Sequence, residues 1–449
     1  MDCIDKIDER RIIIIASLLL LIVLAGYLFT PTILFIALPI VSYYSIKASN
    51  PIESLIPFAI IVTWGAQIWN TAFESYYTIL KLLAIVVFFY KVISLKSKCN
   101  LWGLLLPLLL FVFYNIFSEA LYYPGGTRYL FYVNIIICYV VIYLVSRYVT
   151  LDHFESFSFA IGIGVLFSAV VSLISPIIPS LFEVVQGMIQ TDNAFGGEEI
   201  DKRFSSLTYD PNLFGMYVDC ALSLNVIVLI QRQFKKSFVR ISLCVALMAV
   251  GLMTLSKAYF LVSSILFILC ISHILKSREI RASRKTVIFI VIIVAAAILF
   301  YYMIDYVDAL LSRFDSKNAS ELTTGRTDIM SYYVNYLLNN PKTLLFGNSL
   351  LGGIKDYSTP HNFALYLLYF FGVIGTLLYV IVVVRLMKLN KRYRVYSFKY
   401  FSDKKLHYLP LGIYLLYSFT IDPFALYDVK MIILSASFAA CQPLISKVR

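Results

Sequence analysis

Charge is scarce in this sequence. Asp, Glu, Lys and Arg make up 14% of its 449 residues, against 60% hydrophobic residues and a mean hydropathy of +0.82. That balance excludes an ordinary soluble domain. The seven cysteines (Cys3, Cys99, Cys138, Cys220, Cys244, Cys270 and Cys441) include no CxxC pair, and none lies in the longest connections. Neither a disulfide framework nor a zinc site is expected. Acidic pairs spaced Asp-x-Asp are missing from those connections, where Asp305 and Asp308 are spaced differently, so no metal is expected either. There is no internal repeat of fixed period, and none of the short alternating segments that build a membrane barrel. Met1–Arg11 is followed by no small-residue cleavage site, which reads as an uncleaved first span.

What the sequence does have is long apolar runs between Ile12 and Ile445, such as Leu101–Phe117 and Val287–Met303. A spanning helix takes about 20 mostly apolar residues and satisfies its own backbone in lipid. The runs fall at about residues 12–29, 32–48, 54–70, 77–95, 101–120, 129–148, 157–178, 212–231, 240–255, 258–275, 287–303, 361–385, 407–421 and 425–445. The expected fold is therefore all-α, a polytopic bundle of about 12–14 transmembrane helices forming one domain over residues 1–449. The second, third and thirteenth runs are short or interrupted by Pro39, Pro57 and Pro410. They are expected to be tilted, re-entrant or interfacial.

A net charge of +12 would suit a nucleic-acid partner, but its placement argues for a membrane instead. Most of the 38 Lys and Arg lie in every second connection, above all 232–240, 276–285 and 385–405. This is the mark of cytoplasmic loops. Both termini are expected inside, and the long connections 183–211 and 304–360 outside. Within the second, Asp328 to Leu338 reads as a helix, begun at Thr323-Thr324 and stopped by Asn339-Asn340-Pro341. Tyr332, Tyr333, Tyr336 and Leu337 share one of its faces, which suits a helix lying on the outer membrane surface or on the spans.

Charged residues inside spans are costly and tend to be paired, wet or functional. Lys81, Glu119, Arg128, Asp219, Asp422, Asp428 and Lys430 all fall in the outer half of the expected topology. They predict a water-accessible polar cavity opening outward, or else a set of ion pairs with snorkelling side chains.

Four outer stretches carry candidate chemistry. Arg203 precedes Asp210-Pro211-Asn212, a turn and helix-start signal. Ser256-Lys257 lies in a tight connection. Gly325-Arg326-Thr327-Asp328 begins the loop helix, where free N–H groups beside a guanidinium suit a phosphate; pairing of Arg326 with Asp328 is the plainer reading. Pro360-His361-Asn362 opens the twelfth run and is followed by Gly372 and Gly375, which suit close helix packing. His153, His273 and His407 lie in or near inward connections.

The order of these motifs, His-Asn followed by Gly-x-x-Gly, an outer Gly-Arg, and an Arg ahead of Asp-Pro-Asn, resembles the bacterial O-antigen ligase and Wzy-type polysaccharide polymerase superfamily. The resemblance covers about residues 203–379. Ser256-Lys257 stands where relatives usually carry Ser-Arg, so Lys257 lacks the fork for bidentate phosphate binding. The resemblance implies a bundle in the bacterial inner membrane, with both long loops and the active site in the periplasm. It also implies glycosyl transfer from an oligosaccharide on undecaprenyl pyrophosphate, with no cofactor; action alone and action with a polysaccharide chain-length regulator both stay open. On that reading His361 takes the acceptor proton and Asn362 orients the imidazole. Arg203, Lys257 and Arg326 hold the departing pyrophosphate. Asp210 and Asp219 are further candidates for the base, its partner or substrate contacts. Gly325-Arg326 followed by Leu345-Phe346-Gly347 looks more like a polymerase than a ligase that transfers glycan to the lipid A core. A flippase or transporter is the non-enzyme alternative, but the paired broken repeats of that class are not visible.

Overall fold

The computed structural model describes residues 8–65, 71–95, 100–122, 129–189, 203–208, 210–232, 234, 237–276, 280–302, 304, 308, 311, 326–350, 360–391, 406–419 and 428–441. Thr323, Thr324, Gly325, Arg128, Asp305 and Asp422, singled out above, lie outside them, as does the side chain of Asp428. Among the described residues there is no strand and nearly all are helical. The helices are α1 (Glu9–Leu28), α2 (Ala37–Lys47), α3 (Pro51–Ser54), α4 (Ile56–Gly65), α5 (Thr71–Ser94), α6 (Trp102–Tyr122), α7 (Tyr129–Tyr148), α8 (Leu151–Ile174), α9 (Pro179–Ile189), α10 (Pro211–Gln231), α11 (Phe238–Leu252), α12 (Lys257–Lys276), α13 (Ala282–Tyr302), α14 (Arg326–Asn339), α15 (Pro341–Phe346), α16 (Phe363–Lys391), α17 (Leu409–Tyr417) and α18 (Asp428–Ala440). Eight of those described, α1, α5, α6, α7, α8, α10, α12 and α16, contain stretches long and apolar enough to cross a membrane. The chain is a multi-pass membrane protein with an all-α fold.

Proline decides where the short spans break. It lacks the amide a helix interior needs, so it is tolerated in a first turn. The second run is a 3-10 turn, Pro31–Ile36, before α2, in which Pro39 is the third residue. The third run divides at Leu55, two residues before Pro57, and Pro410 is the second residue of α17. Asn339-Asn340-Pro341 ends α14 and starts α15, as the sequence predicts. The helix α9 begins four residues before the expected loop at 183 and extends into it.

α10 is the axis of the bundle. Almost every residue from Leu213 to Ile230 is buried, and the helix packs against α8, α11, α12, α17 and α18. A second group forms where α18 lies along α7 and α16 lies along α6. Successive long helices reverse direction. The connections thus gather at two ends, one carrying His361 and the other Arg240.

The Arg240 end corrects one expectation. Buried charge is also found among residues that the expected topology places in the inner half. Arg240, 1% exposed, donates from Nε and Nη2 to Glu9 (3.2 and 2.8 Å), from Nη1 to Asn225 Oδ1 (2.6 Å) and from Nη2 to the Glu155 carbonyl (3.0 Å). Arg232 grips both oxygens of Glu155. Glu53 is fully buried, 3.9 Å from His153. These ion pairs clamp α1 onto α8, α10 and α11. Removing one partner of a buried pair strands the other, at about 3–5 kcal/mol. Arg240→Ala, which leaves Glu9 to Arg232, should therefore destabilise the detergent-solubilised protein by up to about that amount and lower its thermal midpoint; an unchanged midpoint would show that the clamp is dispensable.

Candidate functional site

The His361 end is assembled from four chain segments. The first runs into α10. Asp210 is the N-cap: its Oδ1 accepts from the Asn212 amide (2.7 Å) and from Asn212 Nδ2 (3.0 Å), while Pro211 occupies the first helical position. Asn212 Oδ1 then faces outward. It accepts from Arg203 Nη2 (3.2 Å) and from Ser256 Oγ (2.9 Å). Arg203 Nε donates to the carbonyl of Thr254 (3.2 Å), and the Phe204 amide to that of Met253 (3.1 Å). The Arg203 segment is thereby fastened to the second segment, the turn 253–256 between α11 and α12. Ser206 Oγ meets Ser168 Oγ at 3.0 Å and seats the same segment on α8. Lys257 is the first residue of α12, directly after Ser256 and half-buried.

The third segment is α14 and α15. Ile329, Tyr333 and Leu337 form the buried stripe of α14. Tyr333 meets the Tyr369 ring edge-on at 5.1 Å between centroids, and Tyr336 lies 5.6 Å from it. The aromatic stripe read from the sequence therefore faces the spans. Arg326, the first residue of α14, is half-buried.

The fourth segment is α16, which is two helices joined across a kink. Gly372 (φ 64°, ψ −176°) breaks it. In an unbroken helix the carbonyls of Tyr369 and Phe370 would take amides four residues on. Here they take Asn348 (2.7 Å) and Ser349 (3.0 Å) from the loop. Gly347 (φ 82°) makes this approach possible: a Cβ there would lie 2.3 Å from the Phe370 carbonyl oxygen, and one on Gly372 would lie 2.4 Å from the Gly347 nitrogen. The Leu345-Phe346-Gly347 motif and Gly372 are thus two halves of one clasp. A Cβ on Gly375 would meet Tyr114 of α6 at 2.9 Å, in keeping with the close packing expected of it.

His361 precedes α16 in left-handed backbone (φ 43°). Asn362 Oδ1 accepts from the Leu365 amide (3.2 Å), a helix cap. The Asn362 side-chain oxygen therefore serves the helix start. Burial holds the His361 pKa below its ordinary 6.5; nearby Arg326 pushes the same way and nearby Asp210 opposes both. Arg326, His361 and Asp210 thus share one electrostatic environment, and Asp210 connects them through Asn212 to Arg203 and Ser256. Among the described non-glycine residues with positive φ, Ser206, Leu255, Ser349 and His361 lie at this end and Phe234 at the Arg240 end. Such strain concentrates at functional sites.

No family model, no curated protein and no solved structure matches this chain. The chemistry must be argued from the site.

Arg203, Asp210, Lys257, Arg326, His361 and Asn362 are half-buried at this end. Asp219 is set apart. It is fully buried two turns down α10, roughly 10 Å from Asn212 along the helix. Its Oδ2 accepts from Tyr417 Oη (2.7 Å). Glu119 and Lys430 are likewise buried, Glu119 accepting from Tyr132 Oη (2.8 Å), and Lys81 donates to Asn134 (3.2 Å). Glu119, Asp219 and Lys430 are packed in the bundle and do not line a water-accessible cavity. Among the described residues no group of three or more His, Cys, Asp or Glu gathers as metal ligands would. Sequence reasoning missed Thr254, Tyr417 and the 347–372 clasp. A positive-φ glycine signal at both ends of the clasp was available; the Tyr417 contact left none.

Two outcomes are expected. Gly347→Ala and Gly372→Ala should each destabilise by about 1–3 kcal/mol through strain at positive φ and speed proteolysis within residues 326–349; normal resistance in both would refute the clasp. For His361, the unfolded chain binds a proton more readily than the native one, so its contribution to stability is full above pH 6.5 and is lost as pH falls through 6.5 towards the depressed native value. Asp210→Asn keeps the cap but removes the charge favouring imidazolium. With four histidines in the chain, histidine-labelled NMR should show the His361 midpoint below 6.5, and lower still in Asp210→Asn.

Proposed function

We propose that this chain is a polysaccharide polymerase of the O-antigen ligase and Wzy-type superfamily. It transfers a growing glycan from undecaprenyl pyrophosphate onto a lipid-linked repeat unit. The observation that carries the reading is the shared environment of His361, Arg326 and Asp210, joined through Asn212 to Arg203. These residues span more than 150 positions of sequence and belong to the motifs on which the resemblance rests.

The acceptor hydroxyl attacks the anomeric carbon of the donor sugar. His361 accepts the hydroxyl proton, and its depressed pKa keeps the imidazole neutral, as a base must be at neutral pH. The bond from the anomeric carbon to the pyrophosphate oxygen breaks, and the oxygen leaves with the electron pair. Arg326, Lys257 and Arg203 offset the charge that develops. Arg203 commits Nε and Nη2 to Thr254 and Asn212, so it is held rigidly beside the anion path. A rigid donor loses no reorganisation energy at the moment of reaction.

Sidedness follows from charge. We assign the Arg240 end, where Arg232 and Arg240 lie, to the cytoplasm with both termini, and the His361 end to the periplasm of the inner membrane. The test is purified protein with a defined lipid-linked repeat unit, with and without lipid A core. Elongation without the core is expected. Transfer only to the core would make the protein a ligase, and transport without bond formation would end the enzyme reading. His361→Ala should insert normally and lose about 10²–10⁴-fold in rate, leaving products of one repeat; wild-type polymer would rule out the base.

A further inference from the structure

Asp219 is the polar group that the mechanism leaves unused. It sits inside α10, fully buried, and one carboxylate oxygen, Oδ1, takes no hydrogen bond among the described residues. The other accepts from Tyr417 Oη at 2.7 Å. A carboxylate held in such a place needs a reason, because burying a charged or polar group costs free energy that its contacts must return.

The reason lies one residue further along the chain. Tyr417 is the last residue of α17, and Ser418 follows it. The carbonyl of Ser418 accepts from the amide of Phe363 at 2.8 Å. Phe363 is the first residue of α16, and its amide is among the four that no helix can satisfy from within. His361 stands two residues upstream, in strained backbone. Its placement therefore depends on how the first turn of α16 is pinned. Asn362 pins that turn from one side by capping the Leu365 amide, and Ser418 pins it from the other. Gly215 makes room for the arrangement. A Cβ there would lie 3.2 Å from Tyr259 Cβ, 3.5 Å from Tyr417 Oη and 3.7 Å from Ser256 Cβ. The tyrosine hydroxyl thus passes between α10 and the Ser256 turn that also holds Asn212.

We infer that Asp219 is a positioning residue for His361: by holding Tyr417 it fixes the Ser418 carbonyl that anchors the start of α16, and so sets the imidazole against the Arg326 and Asp210 cluster. Its effect on glycosyl transfer rests on the proposed function; its effect on the geometry of position 361 does not. The role differs from that of a base or a substrate ligand, for Asp219 lies two helical turns below the Asn212 network and is closed off from water.

The experiment has a geometric arm and a kinetic arm. In a chain with its seven cysteines replaced, His361→Cys is labelled with a membrane-impermeant maleimide. Tyr417→Phe, a one-oxygen deletion, and Asp219→Ala should each change the labelling rate several-fold. Asp219→Asn, whose amide oxygen still accepts from Tyr417, should leave it near the parental rate. Unchanged labelling in Tyr417→Phe overturns the inference, and this arm stands by itself if Asp219→Ala fails to accumulate. In the otherwise native protein, Tyr417→Phe and Asp219→Ala should lower kcat by about 10- to 100-fold, the scale of a misplaced catalytic group, with KM for the lipid-linked unit unchanged. The double variant should be no worse than either single one, and Asp219→Asn should restore most of the rate. An Asp219→Asn protein as inactive as His361→Ala, beside a near-normal Tyr417→Phe, would overturn positioning in favour of a direct chemical role. If labelling responds as expected but the native protein extends no lipid-linked unit, the proposed function fails and the relay stands.

Discussion

The carboxylate of Asp210 joins two systems that would otherwise be independent. Through Oδ1 it caps α10 and fixes Asn212, which in turn holds Arg203 and Ser256. Through its charge it acts on His361 against burial and against Arg326. A capping carboxylate is already favoured at a helix N-terminus by free amides and by the helix dipole. Here the same group does electrostatic service at no added structural cost. The loop that carries Arg203, the turn that carries Ser256 and Lys257, and the start of α16 are brought into one arrangement around it.

The fold was legible because lipid leaves a chain few choices. A run of apolar residues that cannot be solvated must close its hydrogen bonds as a helix, and each crossing reverses direction. The alternation of basic connections sorts the expected helices onto two ends. Proline was equally informative, since Pro39, Pro57 and Pro410 all fall in first turns. The site was legible in part. Asp210-Pro211-Asn212 carries its cap in its composition, and Asn339-Asn340-Pro341 its helix stop. What the sequence did not disclose depends on contacts between distant segments. Nothing in the sequence pairs Arg240 with Glu9 and Asn225, Glu155 with Arg232, or Glu53 with His153. Asn362 also caps the Leu365 amide, a role that the His-Asn motif does not announce.

The two ends of the bundle handle buried polarity differently. At the Arg240 end, charges meet charges in closed ion pairs that bind α1 to the body of the protein. At the His361 end, the backbone finds its partners between distant segments: Arg203 Nε donates to the Thr254 carbonyl, the Asn348 and Ser349 amides to the carbonyls released by Gly372, and the Phe363 amide to the Ser418 carbonyl. Pairing of this second kind holds irregular chain in place while Arg203, Lys257, Arg326 and His361 stay half-buried.

The break at Gly372 has a bearing on depth. The part of α16 beyond it, residues 373–391, is by itself roughly 28 Å long at 1.5 Å per residue, close to the thickness of a bilayer's hydrocarbon. Set along the bilayer normal, it crosses unaided. The shorter stretch Phe363 to Phe371, kinked against it at Gly372, is then not needed to span the lipid and is left to carry His361 and to receive the loop at 347–349.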